Sequence, residues 1–342
     1  MTQNQHYVPK FILRQFCANS DAERVAVYDK QSDKTFVTSI RNVMAENRFN
    51  DFLFDDDWIV SFEPIACAAE DRVLPTYKKL LESRRLDNSP QEKAALAFLI
   101  AFQFLRTKGN RDHWQQIEEL IVAKVEQGGG RMQDVKGWED WQPATENSLK
   151  RDHLLSIRKS IGEFAQIIGT KDFVLAEPAE RRSFYLGDNP VCLHNMQKFG
   201  PYGNLGLAVT GIEIYMPLAS DLLLCAWCPS ILSTIRAEYE TGARERQTKA
   251  VGQVMAGRMT AQEMKEMMER SEAMERPVAS LLSAAAEGRP VSSNAAIMDY
   301  YNSMQTAFAS RYIVCQQADF ALARSFCREH PEAKRGRRMS AA

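Results

Sequence analysis

The residues best placed to do chemistry are polar side chains that the hydropathy pattern sets among apolar ones. Residues 94–105 carry apolar side chains on every side of a helix rather than along one stripe, which predicts a helix buried all round, yet Gln103 falls inside it and Arg106 closes it. Burying an uncompensated guanidinium is very costly, so Arg106 requires a carboxylate or a bound anion, and Gln103, three residues earlier, shares its face. The segment upstream offers carboxylates. Glu63 and Glu70 lie seven residues apart, on one face of a helix, and Glu70 is the expected partner. Two readings are open: an ion pair that locks two helices, or a site in which carboxylate, amide and guanidinium orient a water and hold an anionic group.

His6 precedes Pro9 in a segment whose neighbours Tyr7, Val8, Phe11 and Ile12 predict docking against a core. If it docks near Arg106, its imidazole is a general acid or base suited to neutral pH; otherwise it is a satisfied core or surface residue. Gly187-Asp188-Asn189-Pro190 reads first as a turn, and Asp188 stands at a strand end, where side chains reach into sites. Arg106 and His113 are spaced like the Arg-x6-His signature of the helical HEPN ribonucleases, a resemblance weakened by Lys108-Gly109-Asn110; Arg111 and His113 read instead as a solvated turn. Cys192-x-His194 and Cys225-x-x-Cys228 contain the donors of a zinc site, but an apolar strand over residues 222–227 favours simple burial of the thiols. No P-loop, dinucleotide fingerprint or nucleophile-elbow motif is present.

These groups need elements to hold them. Ser89-Pro90-Gln91-Glu92 is a capping box that starts a helix expected to run to about Gln127, with Gly109 as a kink or break. Residues 24–30 and 36–40 alternate as a β-hairpin, Val25 and Val27 inward and Ala26 and Tyr28 outward, which residues 48–54 extend. From Asp56 the pattern is helical, and another helix is expected over residues 145–168. Strands are predicted at 172–176, 183–186, 210–217 and 222–227, as an antiparallel sheet. Residues 238–288, charged and methionine-rich with a capping box at Thr260–Glu263, read as a helical insertion whose methionines, across 254–276, serve core packing or a homo-oligomer contact. A helix over 294–309, a strand over 312–316 and a helix over 319–330 complete the expectation: one α+β domain over 1–330, then a basic disordered tail at 331–342.

Composition narrows the function classes. The 342 residues carry 43 basic and 44 acidic side chains, a net charge of −1, so nucleic acid has no global electrostatic signal and needs a local patch. The longest apolar run is shorter than the roughly 18–20 residues of a membrane span, and the first residues lack the pattern of a secretory signal. Seven cysteines, an odd number, fit reduced thiols, so a cytoplasmic protein is expected.

Gln5-His6-Tyr7-Val8-Pro9 with Leu13-Arg14-x-Phe16, Val27-Tyr28-Asp29-Lys30, Asn42 to Phe49, Gln103-x-x-Arg106-Thr107, Asp188-Asn189-Pro190-Val191, Pro217-Leu218 and Asn302 together resemble a widespread, largely bacterial family, domain-of-unknown-function family 4238. The resemblance implies that His6, Gln103, Arg106, Asp188 and Asn302 belong to one recurring pattern; it carries no activity. On residue chemistry, the expected function is a hydrolase of a phosphodiester or similar anionic bond, a nuclease-like effector. In it Gln103, Arg106 and Asn302 bind the substrate, His6 transfers a proton, and Asp188 or Glu70 positions water or a divalent metal. The alternatives are a module that binds or senses a nucleotide or acidic ligand without reacting, and a scaffold.

Overall fold

The structure, a computed structural model, describes residues 4–18, 23–55, 58–197 and 204–336. The chain opens with β1 (Asn4–His6) and one helical turn, α1 (Lys10–Leu13), then the hairpin β2 (Arg24–Asp29) and β3 (Lys34–Ser39), β4 (Ala45–Asn47), and a second hairpin, β5 (Asp51–Asp55) and β6 (Trp58–Ser61). Four helices follow: α2 (Glu63–Ser83), α3 (Pro90–Leu105), α4 (Lys108–Gln127) and α5 (Glu146–Gly169). Then come β7 (Asp172–Pro178), β8 (Leu186–Gly187), β9 (Cys192–His194), β10 (Glu213–Ala219) and β11 (Leu222–Trp227). The long helices α6 (Pro229–Met255) and α7 (Ala261–Glu287) lead to β12 (Pro290–Ser293), α8 (Ala295–Phe308), β13 (Tyr312–Val314) and α9 (Ala321–Glu329).

The fold is α+β, with helices packed on small, mainly antiparallel sheets. One sheet has the order β12-β7-β11-β10-β9, antiparallel except where β12 runs parallel to β7; a second has the order β3-β2-β13-β8. The pairs β1–β4 and β5–β6 stand apart. A single large apolar cluster joins α1 and the first hairpin to α2, α3 and the five-stranded sheet. Within it α3 buries Leu96, Leu99 and Ile100, while Phe102 and Leu105 on another face enter a separate cluster with Phe62, Leu154 and Ile157, as its unbroken apolar composition requires. Ser89 caps this helix by accepting from the Glu92 N–H, while the Glu92 carboxylate turns back onto the N–H groups of Asp87 and Asn88. Among the described residues no helix is long and apolar enough to cross a membrane.

Tertiary pairing revises several expectations. The helix starting at Ser89 breaks at Arg106, not at Gly109, because the Thr107 hydroxyl caps a new helix by accepting from the Asn110 N–H. Residues 48–54 do not extend the first hairpin: β5 pairs with β6, a strand where helix was expected. Tyr28 is buried rather than outward, packed with Tyr185, Ile313 and Phe320 under α9. The strand expected over 183–186 shrinks to Leu186–Gly187, and β9 and β12, too short to show a period, were not foreseen. The helical excursion begins at Pro229, nine residues before the expected 238. Met255 and Met274 on it are 84% and 83% exposed, so neither packs into a core. Pro331–Arg335 forms a 3-10 turn in the segment read as tail; residues 337–342 lie outside the described residues.

Gly288 ends α7 in the left-handed region, φ +69°, where a Cβ would stand 2.2 Å from the Leu86 carbonyl oxygen; Gly257 has a similar φ of +67° with nothing within 4 Å. Gly288→Ala is therefore expected to lower stability by about 2 kcal/mol or more and Gly257→Ala by only about 1 kcal/mol, measured by urea unfolding; equal losses would show that the Leu86 segment yields freely.

Candidate functional site

Arg106 is 3% exposed at the end of α3. Its Nη1 donates to Glu70 Oε1 of α2 at 2.5 Å, its Nη2 donates to the His6 carbonyl oxygen at 2.6 Å, and its guanidinium lies 4.6 Å from the Phe102 ring centroid. Gln103, one turn earlier, donates from Nε2 to the Tyr7 carbonyl oxygen at 2.9 Å. The pair thus grips consecutive carbonyls of the N-terminal segment. Gln5 adds a third hold, donating to Asp51 and accepting from the Asn50 N–H. The His6 ring is buried, and its Nε2 donates to the Ile40 carbonyl oxygen at 2.9 Å, which fixes the neutral tautomer. Burial, with Lys10 and Arg106 nearby, pulls its pKa down to about 4.

A second buried cluster forms around Asp188, 2% exposed, whose carboxylate accepts from three successive backbone N–H groups, Ser310 at 2.6 Å, Arg311 at 2.9 Å and Tyr312 at 3.0 Å. Burial raises its pKa; those bonds and the Lys30 ammonium oppose the rise. Lys30, fully buried, donates to the carbonyls of Thr306 and Ala309 at the C-terminal end of α8, where a helix favours a cation, and burial lowers its pKa to about 8. Asn302 is likewise internal, accepting from the Tyr185 N–H and donating to the Ser183 carbonyl.

The structure also contains a cavity of about 610 Å³ between α3, α4, α5 and the turn after β8. Of the six residues expected to form a site, Gln103 lines it, while His6, Glu70, Arg106, Asp188 and Asn302 do not. Gly109, Asp112, His113 and Gln116 come from one face of α4, and Ser156, Ser160 and Phe164, four residues apart, from one face of α5. Asn189 enters from the turn, and its Nδ2 donates to the Phe308 carbonyl oxygen at 3.0 Å and to Ser310 Oγ at 2.9 Å. Those bonds orient its amide, as the bond to Tyr7 orients that of Gln103. The two remaining amide oxygens, Gln103 Oε1 and Asn189 Oδ1, are buried and accept no hydrogen bond among the described residues. Burial raises the pKa of Asp112, opposed by Lys108 and reinforced by Glu46.

Arg111 and His113 correct the expectation of a solvated turn. Both lie in α4; His113 lines the cavity, and Arg111 is 7% exposed. Arg111 Nη2 donates to the Phe49 carbonyl oxygen at 2.8 Å, its Nε donates to His153 Nδ1 at 3.3 Å, and its guanidinium lies 3.7 Å from the Phe49 ring centroid. His153, fully buried on α5, in turn donates from Nε2 to the Leu105 carbonyl oxygen, and burial beside Arg111 pulls its pKa down to about 4. His113 was visible through its spacing from Arg106. Asp112, whose side chain keeps 40% of its exposure, carried no such signal, because its partial desolvation arises only when α4 turns against α5 and the Asn189 loop. Cys192, Cys225 and Cys228 are buried, and among the described residues no three His, Cys, Asp or Glu side chains cluster as metal ligands.

A family model described as protein of unknown function (DUF4238) matches residues 4–319. No curated protein and no solved structure matches the chain.

His6 and His153 are neutral when folded and titrate below their ordinary value of about 6.5, so the unfolded chain takes up protons first. Their contribution is complete above about pH 6.5 and is lost as pH falls toward 4, on the order of 3 kcal/mol for each. Urea midpoints measured across that window should fall, and His153→Gln, less stable at pH 7, should fall less steeply; parallel slopes would remove His153 from the acid response. Asp188→Asn, which replaces one of the two accepting oxygens by an N–H₂ facing backbone N–H donors, is expected to lose about 2 kcal/mol or more in the same assay.

Proposed function

We propose that this chain, which belongs to the DUF4238 family of proteins of unknown function, binds a nucleotide-like ligand in the cavity between α3, α4, α5 and the turn after β8. The observation that carries this reading is the pairing of aromatic walls with two buried amide oxygens lacking donors, Gln103 Oε1 and Asn189 Oδ1. Phe104 and Phe164, their rings packed 6.1 Å apart, and Phe308 give the cavity an aromatic lining for a planar base, and the amide oxygens call for N–H or O–H donors such as an exocyclic amine or a sugar hydroxyl. Arg335, exposed and also lining the cavity, supplies a cation for an anionic end. The volume falls within the roughly 300–1,000 Å³ of small-molecule sites.

A second reading, hydrolysis of a phosphodiester or similar anionic bond, is favoured by Asp112 and His113 on the same wall. A carboxyl whose pKa is raised by burial beside an imidazole is a suitable pair for proton transfer. In this reading His113 takes the proton-transfer role expected of His6, and Asp112 the water-positioning role expected of Asp188, whose polar atoms, like those of the His6 ring, are engaged with backbone. Seven cysteines, an odd number, suit a reducing, cytoplasmic setting.

Thermal unfolding with a panel of nucleosides, nucleotides, RNA and DNA, with and without divalent metal, should show a saturable rise of several degrees for one nucleotide class. Ser160→Trp, which fills the cavity, should abolish it; a rise that survives Ser160→Trp, or none across the panel, would overturn the reading. Under the hydrolytic alternative Asp112→Asn and His113→Gln stop turnover but keep the thermal shift.

A further inference from the structure

A second cavity, of about 590 Å³, lies where α7 passes over the edge of the five-stranded sheet, and it shares no lining residue with the first. Val174 and Ala176 from β7, Val291 from β12, Val278 and Leu281 from α7, and Ile297 from α8 form its aliphatic wall, and Ser280, Ser292, Ser293, Asn294 and Tyr301 line it as well. One buried polar atom there has no partner among the described residues. Trp227 at the end of β11 lines this cavity, and its indole Nε1–H, a donor only, has no acceptor among the described residues. Buried donors are almost always satisfied, so this one marks a place for an acceptor that the chain does not itself supply. Arg276, solvent-exposed on α7, also lines the cavity and makes no ion pair among the described residues. Pro277, the next residue, lacks an N–H and so interrupts the hydrogen-bond ladder of α7 at this turn.

We propose that this cavity binds a monocarboxylate with an elongated apolar chain, of the class of medium-chain fatty acids. The chain lies along the aliphatic wall. The head group's oxygens accept from the Trp227 indole, and its charge faces Arg276. The indole and the guanidinium are both hydrogen-bond donors and suit an anionic head group. The proposal is independent of the nucleotide reading of the first cavity.

Calorimetric titration of the full chain with decanoate, and with decanol as the uncharged comparison, tests it. Decanoate should bind saturably with one site and more tightly than decanol. Trp227→Phe, which keeps the ring but removes the donor, should weaken decanoate about fivefold. Arg276→Glu, at an exposed position that leaves the fold intact, should weaken decanoate at least as much while leaving decanol unchanged. Leu281→Trp should abolish both. The proposal fails if decanoate gives no saturable heat, if decanol binds as tightly as decanoate, if Trp227→Phe keeps full affinity, or if a folded Leu281→Trp protein still binds. Should Leu281→Trp not fold, Arg276→Glu decides alone.

Discussion

The burial of one guanidinium organises this protein. Arg106 ends the most apolar helix of the chain, and a charge in that position is tolerated only when its N–H groups are engaged and its charge is balanced. Glu70 supplies the balancing charge from α2, and the His6 carbonyl supplies a second acceptor from the N-terminal strand. Three segments far apart in sequence are therefore held at one point. The capping of α3 by Arg106 and the start of α4 at Thr107 place the corner between the helices at the same point, which turns one face of α4 toward α5.

A second buried charge cluster holds the other end. The Asp188 carboxylate gathers three N–H groups after α8, and Lys30 satisfies two carbonyls at the end of that helix. Breaking either arrangement from one side leaves an uncompensated charge in an apolar setting, which is far worse than removing both partners. Between the two lies the first cavity. Gln103 belongs both to its wall and to the grip on the N-terminal segment, and Asn189, the residue after Asp188, lies so close to α4 that a Cβ on Gly109 would stand 2.1 Å from its Nδ2. The buried clusters thus hold the walls, and a different set of side chains lines the space.

This separation explains why the site was only partly legible. Gln103, Arg106 and Asp188 stood out because polar side chains in apolar or turn contexts need partners, and Asn302 only through the family resemblance. That need is the same whether the partner is a ligand or the chain's own backbone, so residue type alone did not separate positioning groups from cavity-lining ones. Asp112, Ser160 and Asn189 line the cavity, yet each sits in an ordinary polar context in sequence, and Trp227 looked like one more apolar residue of a strand.

The sequence by itself determined what depends on neighbours a few residues away. The caps at Ser89 and Thr260, the all-round burial of residues 94–105 and the hairpin of β2 and β3 are products of local hydrogen bonding and periodicity, and so is the need of Arg106 for a carboxylate. Only the tertiary structure decided which strands pair, since β9 and β12 are too short to show a period and exist through partners distant in the chain. It also decided which polar groups are exhausted by internal bonds and which are left without a partner beside an open space, because that depends on where several unconnected backbones converge.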